Sequence, residues 1–163
     1  MKGFSAEQLF HLAEELLLLL YLGLLAREDL KDRRLSGRVL LTGGLLGLGL
    51  RLAELLWLRR APRALAGYLP GLVPAAALAW FSFRSKGAVG PGDGLCILTL
   101  CPWLKAGELF TLLLTAAAAL SLIGLVLWMK KGRPKDYALP FLPFLAGSRL
   151  LLVLAGALSA ASP

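Results

Sequence analysis

The sequence predicts an all-α fold, a polytopic bundle of about six transmembrane helices. Three observations carry that prediction. Of the 163 residues, 58% are hydrophobic, and the mean hydropathy is +0.72. The apolar residues gather in long, unbroken runs rich in Leu and Ala. Charged residues, 17% of the chain, fall mostly between those runs. Continuous apolar runs are what a helix needs to satisfy its backbone inside a bilayer, whereas barrel strands would show short alternating segments. So little chain lies outside the runs that residues 1–163 read as one transmembrane domain, with no second soluble unit.

The runs cover roughly 9–26, 39–58, 64–83, 94–104, 109–129 and 138–160. The first contains Glu14 and Glu15 and leads into a charged loop, REDLKDRRLSGR. That is the pattern of a transmembrane helix with a polar spot, not of a cleaved signal with a small-residue cut site. In the second run, Gly43, Gly44, Gly47 and Gly49 form a small-residue stripe suited to close helix packing. Arg51 and Glu54 follow three residues apart, a spacing that lets them pair inside a bundle. The fourth run, GLCILTLCPWL, is short. As a helix it rises only about 16 Å, against a hydrocarbon core of about 30 Å. Basic residues decide its reading. If it crosses, eleven Lys and Arg lie on the side of the loop after the first helix and five on the other. If it does not cross, eight lie on each side. The first arrangement follows the positive-inside rule, so six crossings are expected, with both termini outside. The Arg59–Arg63 cluster runs against that bias. In the sixth run Arg149 requires an acidic or carbonyl partner, and Glu14, Glu15 and Glu108 are the candidates.

Composition also excludes functions. The net charge is +8, but the basic residues sit in loops, where they orient helices and meet anionic lipid headgroups. No aromatic-interleaved basic motif points to nucleic acid. His11 is the only histidine, which removes a His-based metal site and a His-centred triad. Cys96 and Cys101 stand five apart in an apolar run, neither a disulfide framework nor a zinc site, and read as small packing residues. No cofactor and no metal are expected.

Two acids stand out. Asp29 lies at the end of the first helix, and Asp93 lies in the Gly-rich stretch GAVGPGDGL that opens the fourth. Two crossings separate them, so both return to one membrane face. A carboxylate at a membrane boundary is a functional-site candidate by default. Two of them close together cannot both ionise easily, and such a pair holds a proton near neutral pH. One can then deprotonate water while the other hydrogen-bonds a scissile carbonyl. Asp32, three residues beyond Asp29, is the alternative acid, less favoured by spacing. The structural role open to Asp93 is that of a helix N-terminal cap.

Around these acids the sequence resembles a known family, the bacterial prepilin peptidases or type IV leader peptidases, membrane aspartic proteases of the GxGD kind. Gly90-Pro91-Gly92-Asp93 matches the second family motif, with Gly94 following. Asp29-Leu-Lys-Asp-Arg-Arg-Leu35-Ser36-Gly37 matches the first in spacing, with Leu-Ser-Gly where the family has Ile-Pro-Asn. Pro140-Phe141-Leu-Pro143-Phe144 is similar to the family's Pro-Phe element. Leu95 stands where the family usually has Lys. In order and spacing the resemblance spans nearly the whole chain.

The resemblance implies an aspartic endopeptidase of the bacterial cytoplasmic membrane, with Asp29 and Asp93 catalytic and Gly90, Gly92, Gly94, Pro140, Phe141 and Pro143 supporting them. It implies cleavage of prepilin or pseudopilin leaders at the cytoplasmic face, after a Gly and before an apolar helix. No space exists between the first helices for the soluble loop with which longer members methylate the new N-terminus, so peptidase activity alone is expected. Glu28 and Asp32 flank Asp29 and could attract a basic leader, but five basic residues share that loop. The alternatives are a degenerate scaffold of a pilus or secretion assembly and a small carboxylate-dependent transporter.

Overall fold

The structure, a computed structural model, describes residues 6–32, 35–57, 66–84, 90–131 and 140–161. They form six helices in the predicted order: α1 Ala6–Asp32, α2 Gly37–Trp57, α3 Leu69–Arg84, α4 Pro91–Leu100, α5 Ala106–Lys131 and α6 Leu142–Ala161. Among the described residues there is no strand. Four helices, α1, α2, α5 and α6, are long and apolar enough to cross a membrane. At 16 and 10 residues, α3 and α4 are shorter, rising about 24 and 15 Å. The length and composition of four helices thus support crossing, where six were expected.

The short α4 is the centre of the molecule. It packs against α3 and α2, while α1 lies along α6 and α6 along α5. Gly94, Cys96, Ile97 and Leu100 are buried, as are Cys101, Trp103 and Leu104 just beyond. The core around them takes Leu18, Leu22 and Leu25 from α1, Leu109 and Leu112 from α5, and Leu142 and Leu145 from α6. Most other large apolar side chains face outward. That is the inversion expected of a bundle whose solvent is lipid, where apolar helices need no aqueous face.

Glycines set how closely α2 approaches α1 and α4. A Cβ on Gly43 would lie 2.0 Å from Tyr21 Cε2, and one on Gly47 would lie 2.5 Å from Trp103 Nε1. Tyr21 and Trp103 fill the two notches and stack, with ring centroids 6.0 Å apart. Trp103 Nε1 donates to the Gly43 carbonyl at 3.0 Å, and the Tyr21 hydroxyl lies 2.7 Å from Thr99 Oγ1. Each buried polar tip therefore has a partner. Gly44 packs on Thr99, but Gly49 faces open space, so the stripe comprises three of the four glycines.

Two arginines lock the helices far from the acids. Arg51 is buried and pairs with Glu54, as its spacing predicted, and also with Glu14 on α1. It further donates to the Pro102 carbonyl at 2.8 Å and to the Tyr68 hydroxyl at 2.7 Å, with its guanidinium over the Tyr68 ring. Arg149 forms a two-pronged pair with Glu15, joining α6 to α1. Of its three sequence candidates, Glu15 is therefore the partner. Charges at such depth are tolerated when paired and hydrogen-bonded.

Candidate functional site: two carboxylates between α1, α4 and α6

Asp29 stands one turn before the end of α1, and Asp93 in the first turn of α4. The fold brings their stretches together although 64 positions separate them, because Leu35, shortly after Asp29, lies against Gly92. Burial raises the carboxyl pKa of Asp93 above its ordinary 3.8, and the nearby charge of Asp29 raises it further. A hydrogen bond from the Gly90 backbone N–H opposes both effects without cancelling them. Asp93 thus holds its proton more tightly than a free aspartate.

The motif around Asp93 has a local explanation for each glycine. Gly90 is the extended residue before α4, and Pro91 opens the helix where its missing N–H costs nothing. Asp93 then occupies the third helical position, from which a carboxylate reaches back to the capping residue's N–H, half of a capping box. A Cβ on Gly90 would sit 3.1 Å from Asp93 Oδ2, and the glycine leaves that space open. A Cβ on Gly92 would lie 2.8 Å from Leu35 Cδ1, so the residue in the family's Ile position seats itself over this glycine. A Cβ on Gly94 would come 2.8 Å from the Ala79 Cα and would collide with the Ser82 hydroxyl. Gly94 therefore lets α3 and α4 approach closely. Ser82 itself is buried and donates to the Ala79 carbonyl at 2.7 Å.

Asp29 is held from the other end of the chain. Its Oδ2 accepts a hydrogen bond from the Leu142 backbone N–H at 3.2 Å. Leu142 begins α6, and its N–H is one of the donors that a helix start leaves without an internal partner. Phe141 precedes the helix and its carbonyl accepts from Phe144 and Leu145. Pro143, next in line, has no N–H to leave bare. The Pro140–Phe144 element thus delivers one donor to Asp29, a contact that no local sequence pattern announces. The Leu142 side chain is fully buried, anchoring that donor.

Glu28 is committed elsewhere. Its carboxylate accepts the Ser36 backbone N–H at 2.9 Å, closing the turn into α2. The Ser36 position thereby has a role that does not need the family's Pro, which would remove this donor. The Glu28 carboxylate is therefore already hydrogen-bonded within the chain. Asp32 ends α1, and its side chain lies outside the described residues, as do Arg33 and Arg34. Leu95 is half-buried and packs against the core cluster. Cys96 and Cys101 are free thiols, both buried as packing residues.

Two carboxyl groups, one with raised proton affinity, make an acid–base pair for adding water to a carbonyl. Among the described residues no group of three or more His, Cys, Asp or Glu could hold a metal ion. Searches of protein-family models, curated proteins and solved structures give no match to this chain.

Proposed function

We propose that this protein is a membrane-embedded aspartic endopeptidase of the prepilin peptidase kind, cleaving the leaders of pilin-like precursors at the cytoplasmic membrane face. The observation that carries the proposal is that Leu35, six residues after Asp29, seats against Gly92 beside Asp93, so the two stretches that resemble the family's motifs meet. The backbone hydrogen bond from the Pro-Phe element to Asp29 adds the third motif to the same site.

In the proposed reaction Asp93 carries the proton of the pair. Asp29 takes a proton from a water molecule, whose oxygen attacks the scissile carbonyl. Asp93 gives its proton to the carbonyl oxygen, forming a gem-diol. Collapse of the diol breaks the C–N bond, the leaving nitrogen takes up a proton from Asp29, and the diol proton returns to Asp93. Atoms balance with water as the sole co-reactant. The Leu142 N–H keeps Asp29 oriented, and Gly90 and Gly94 keep Asp93 close to its backbone donor and to α3.

The test is cleavage of a pilin-like precursor co-expressed with the protein and followed by mass. Wild type is expected to shorten the precursor at one bond, and Asp29→Asn and Asp93→Asn are expected to leave it intact while still inserting. Cleavage by either variant would remove that residue from the reaction. Absence of cleavage by well-inserted wild type across several precursors would favour the scaffold or transporter reading.

A further inference from the structure

A polar cleft of about 610 Å³ lies between the start of α5 and the middle of α6, beyond the end of α4 away from Asp93. Its size is that of a small-molecule site, roughly 300–1,000 Å³. Lys105, Glu108 and Thr111 line it at the start of α5, and Arg149 and Leu152 line it from α6. In a bundle whose outward side chains are largely apolar, a cleft walled by three charged residues is an exception. Arg149 is only 7% exposed, and its Nε and Nη2 donate to Glu15. Its Nη1 has no hydrogen-bond partner among the described residues. A buried guanidinium with two N–H groups to spare therefore lines the cleft. Glu108, one of the partners that the sequence offered to Arg149, is left over once Glu15 takes that role. Neither its carboxylate nor the Lys105 ammonium has a hydrogen-bond or ion-pair partner among the described residues. Thr111 donates its hydroxyl hydrogen to the Gly107 carbonyl at 2.9 Å, which leaves its oxygen as an acceptor. Glu108 and Thr111 stand three apart and share one face of α5.

We propose that this cleft binds a phosphate–ammonium zwitterion, the chemistry of a phosphatidylethanolamine headgroup, with the phosphate on Lys105 and Arg149 and the ammonium on Glu108 and Thr111. Charge identifies the ligand class. Lys105 balances Glu108 and Arg149 balances Glu15, so the cleft is neutral as a whole while its charges stand apart. A plain anion would be repelled by Glu108, and a plain cation by Lys105 and Arg149. A neutral ligand with separated charges answers both sides, where an unpaired charge is costly. Lys and Arg together suit a phosphate, which accepts charge-assisted bonds from each. No aromatic side chain is among the lining residues, so the aromatic faces that hold a quaternary ammonium are missing and a primary ammonium fits better. The cleft opens where α5, a helix long and apolar enough to cross a membrane, begins, which is where headgroups lie. Neither Asp29 nor Asp93 lines it, and the proposal does not rest on the peptidase reading.

The test is lipid retention. Purified full-length protein is equilibrated in detergent with equal amounts of phosphatidylethanolamine, phosphatidylcholine and phosphatidylglycerol, and the lipid that stays bound is counted by native mass spectrometry. Wild type is expected to keep one phosphatidylethanolamine, favoured about tenfold or more over the other two. Lys105→Gln and Glu108→Gln should each lower that retention about tenfold, through loss of a charge-assisted contact. Their melting temperatures without added lipid should stay within a few degrees of wild type, because neither side chain has a partner to lose. Lys130→Gln, at the other end of α5, is the charge control and should change nothing. A second arm distinguishes the source of the ligand. Free phosphoethanolamine at millimolar concentration that raises the melting temperature of wild type, but of neither variant, supports the site with a soluble zwitterion as ligand. Retained phosphatidylethanolamine without such a shift supports it with the lipid as ligand. Equal retention of all three lipids, a preference for phosphatidylglycerol, or retention unchanged in both variants overturns the proposal when free phosphoethanolamine gives no shift.

Discussion

Replacing Gly94 by Ala adds one methyl group where α4 lies against the backbone of α3. The new Cβ would lie 2.8 Å from the Ala79 Cα, against ordinary contacts of 3.4–4 Å. That neighbour is backbone, which cannot rotate away, so α3 and α4 must separate by roughly half an ångström or more. The Ser82 hydroxyl would be displaced as well, with its bond to the Ala79 carbonyl. Overpacking of this kind costs about 1–3 kcal/mol, and Ala gains back up to about 1 kcal/mol of helix propensity over Gly. The expected net loss is about 1–2 kcal/mol. Because Asp93 precedes Gly94 on the same turn, the displacement also moves the carboxyl relative to Asp29, and cleavage should fall more than stability does. Gly23→Ala in α1 is the matched control, since its Cβ would meet nothing within 4 Å. It is expected to stabilise by about 0.5–1 kcal/mol. Thermal unfolding in nanodiscs, with a cleavage assay at a permissive temperature, measures both. A Gly94→Ala protein as stable and active as wild type would refute the reading of Gly94 as the contact that sets α3 against α4.

Other outcomes follow from the same packing. Arg51→Met should destabilise by about 3–5 kcal/mol, because Glu14 and Glu54 remain buried without their cation; adding Glu14→Gln and Glu54→Gln should recover much of that loss in the same unfolding measurement. Asp93 has a folded pKa above its ordinary value, so the fold binds its proton more tightly than the unfolded chain does. Its contribution to stability is full below about pH 4 and is lost as pH rises through the folded pKa. Asp93→Asn should therefore flatten the fall in melting temperature between pH 4 and 7 and melt above wild type at neutral pH; a steeper fall would contradict this. Tyr21→Phe removes a hydrogen bond to Thr99 while keeping the ring in its glycine notch, and should cost about 1 kcal/mol by thermal unfolding.

The helices were legible because lipid-facing runs leave a direct trace in composition. Each of the six predicted runs overlaps one helix, with ends displaced by one to six residues. The partners of the buried charges were less legible, for a geometric reason. Glu14 and Glu15 are adjacent in sequence but about 100° apart around α1. One therefore faces Arg51 on α2 and the other Arg149 on α6, and sequence alone does not fix the rotation of α1 that decides which. Helix counting placed Asp29 and Asp93 on one side, and Leu35, shortly after Asp29, does lie against Gly92. The Leu142 donor was not legible, because a backbone N–H has no side-chain signature. Likewise, Glu28 read as a loop acid until its bond to Ser36 showed it closing the turn into α2. Cys96 and Cys101 behaved as their apolar neighbours suggested.

The central claim is that the two carboxylates act on each other. It is tested most directly by titrating Asp93 itself, through isotope-edited infrared spectroscopy of its carboxyl stretch, in wild type and in Asp29→Asn. Asp93 is predicted to titrate above the ordinary aspartate range in wild type. In the variant it should titrate lower, because the repelling charge is gone, while staying raised by burial. An Asp93 titration that does not move when Asp29 is neutralised would contradict the pair, and with it the peptidase site proposed on α1 and α4.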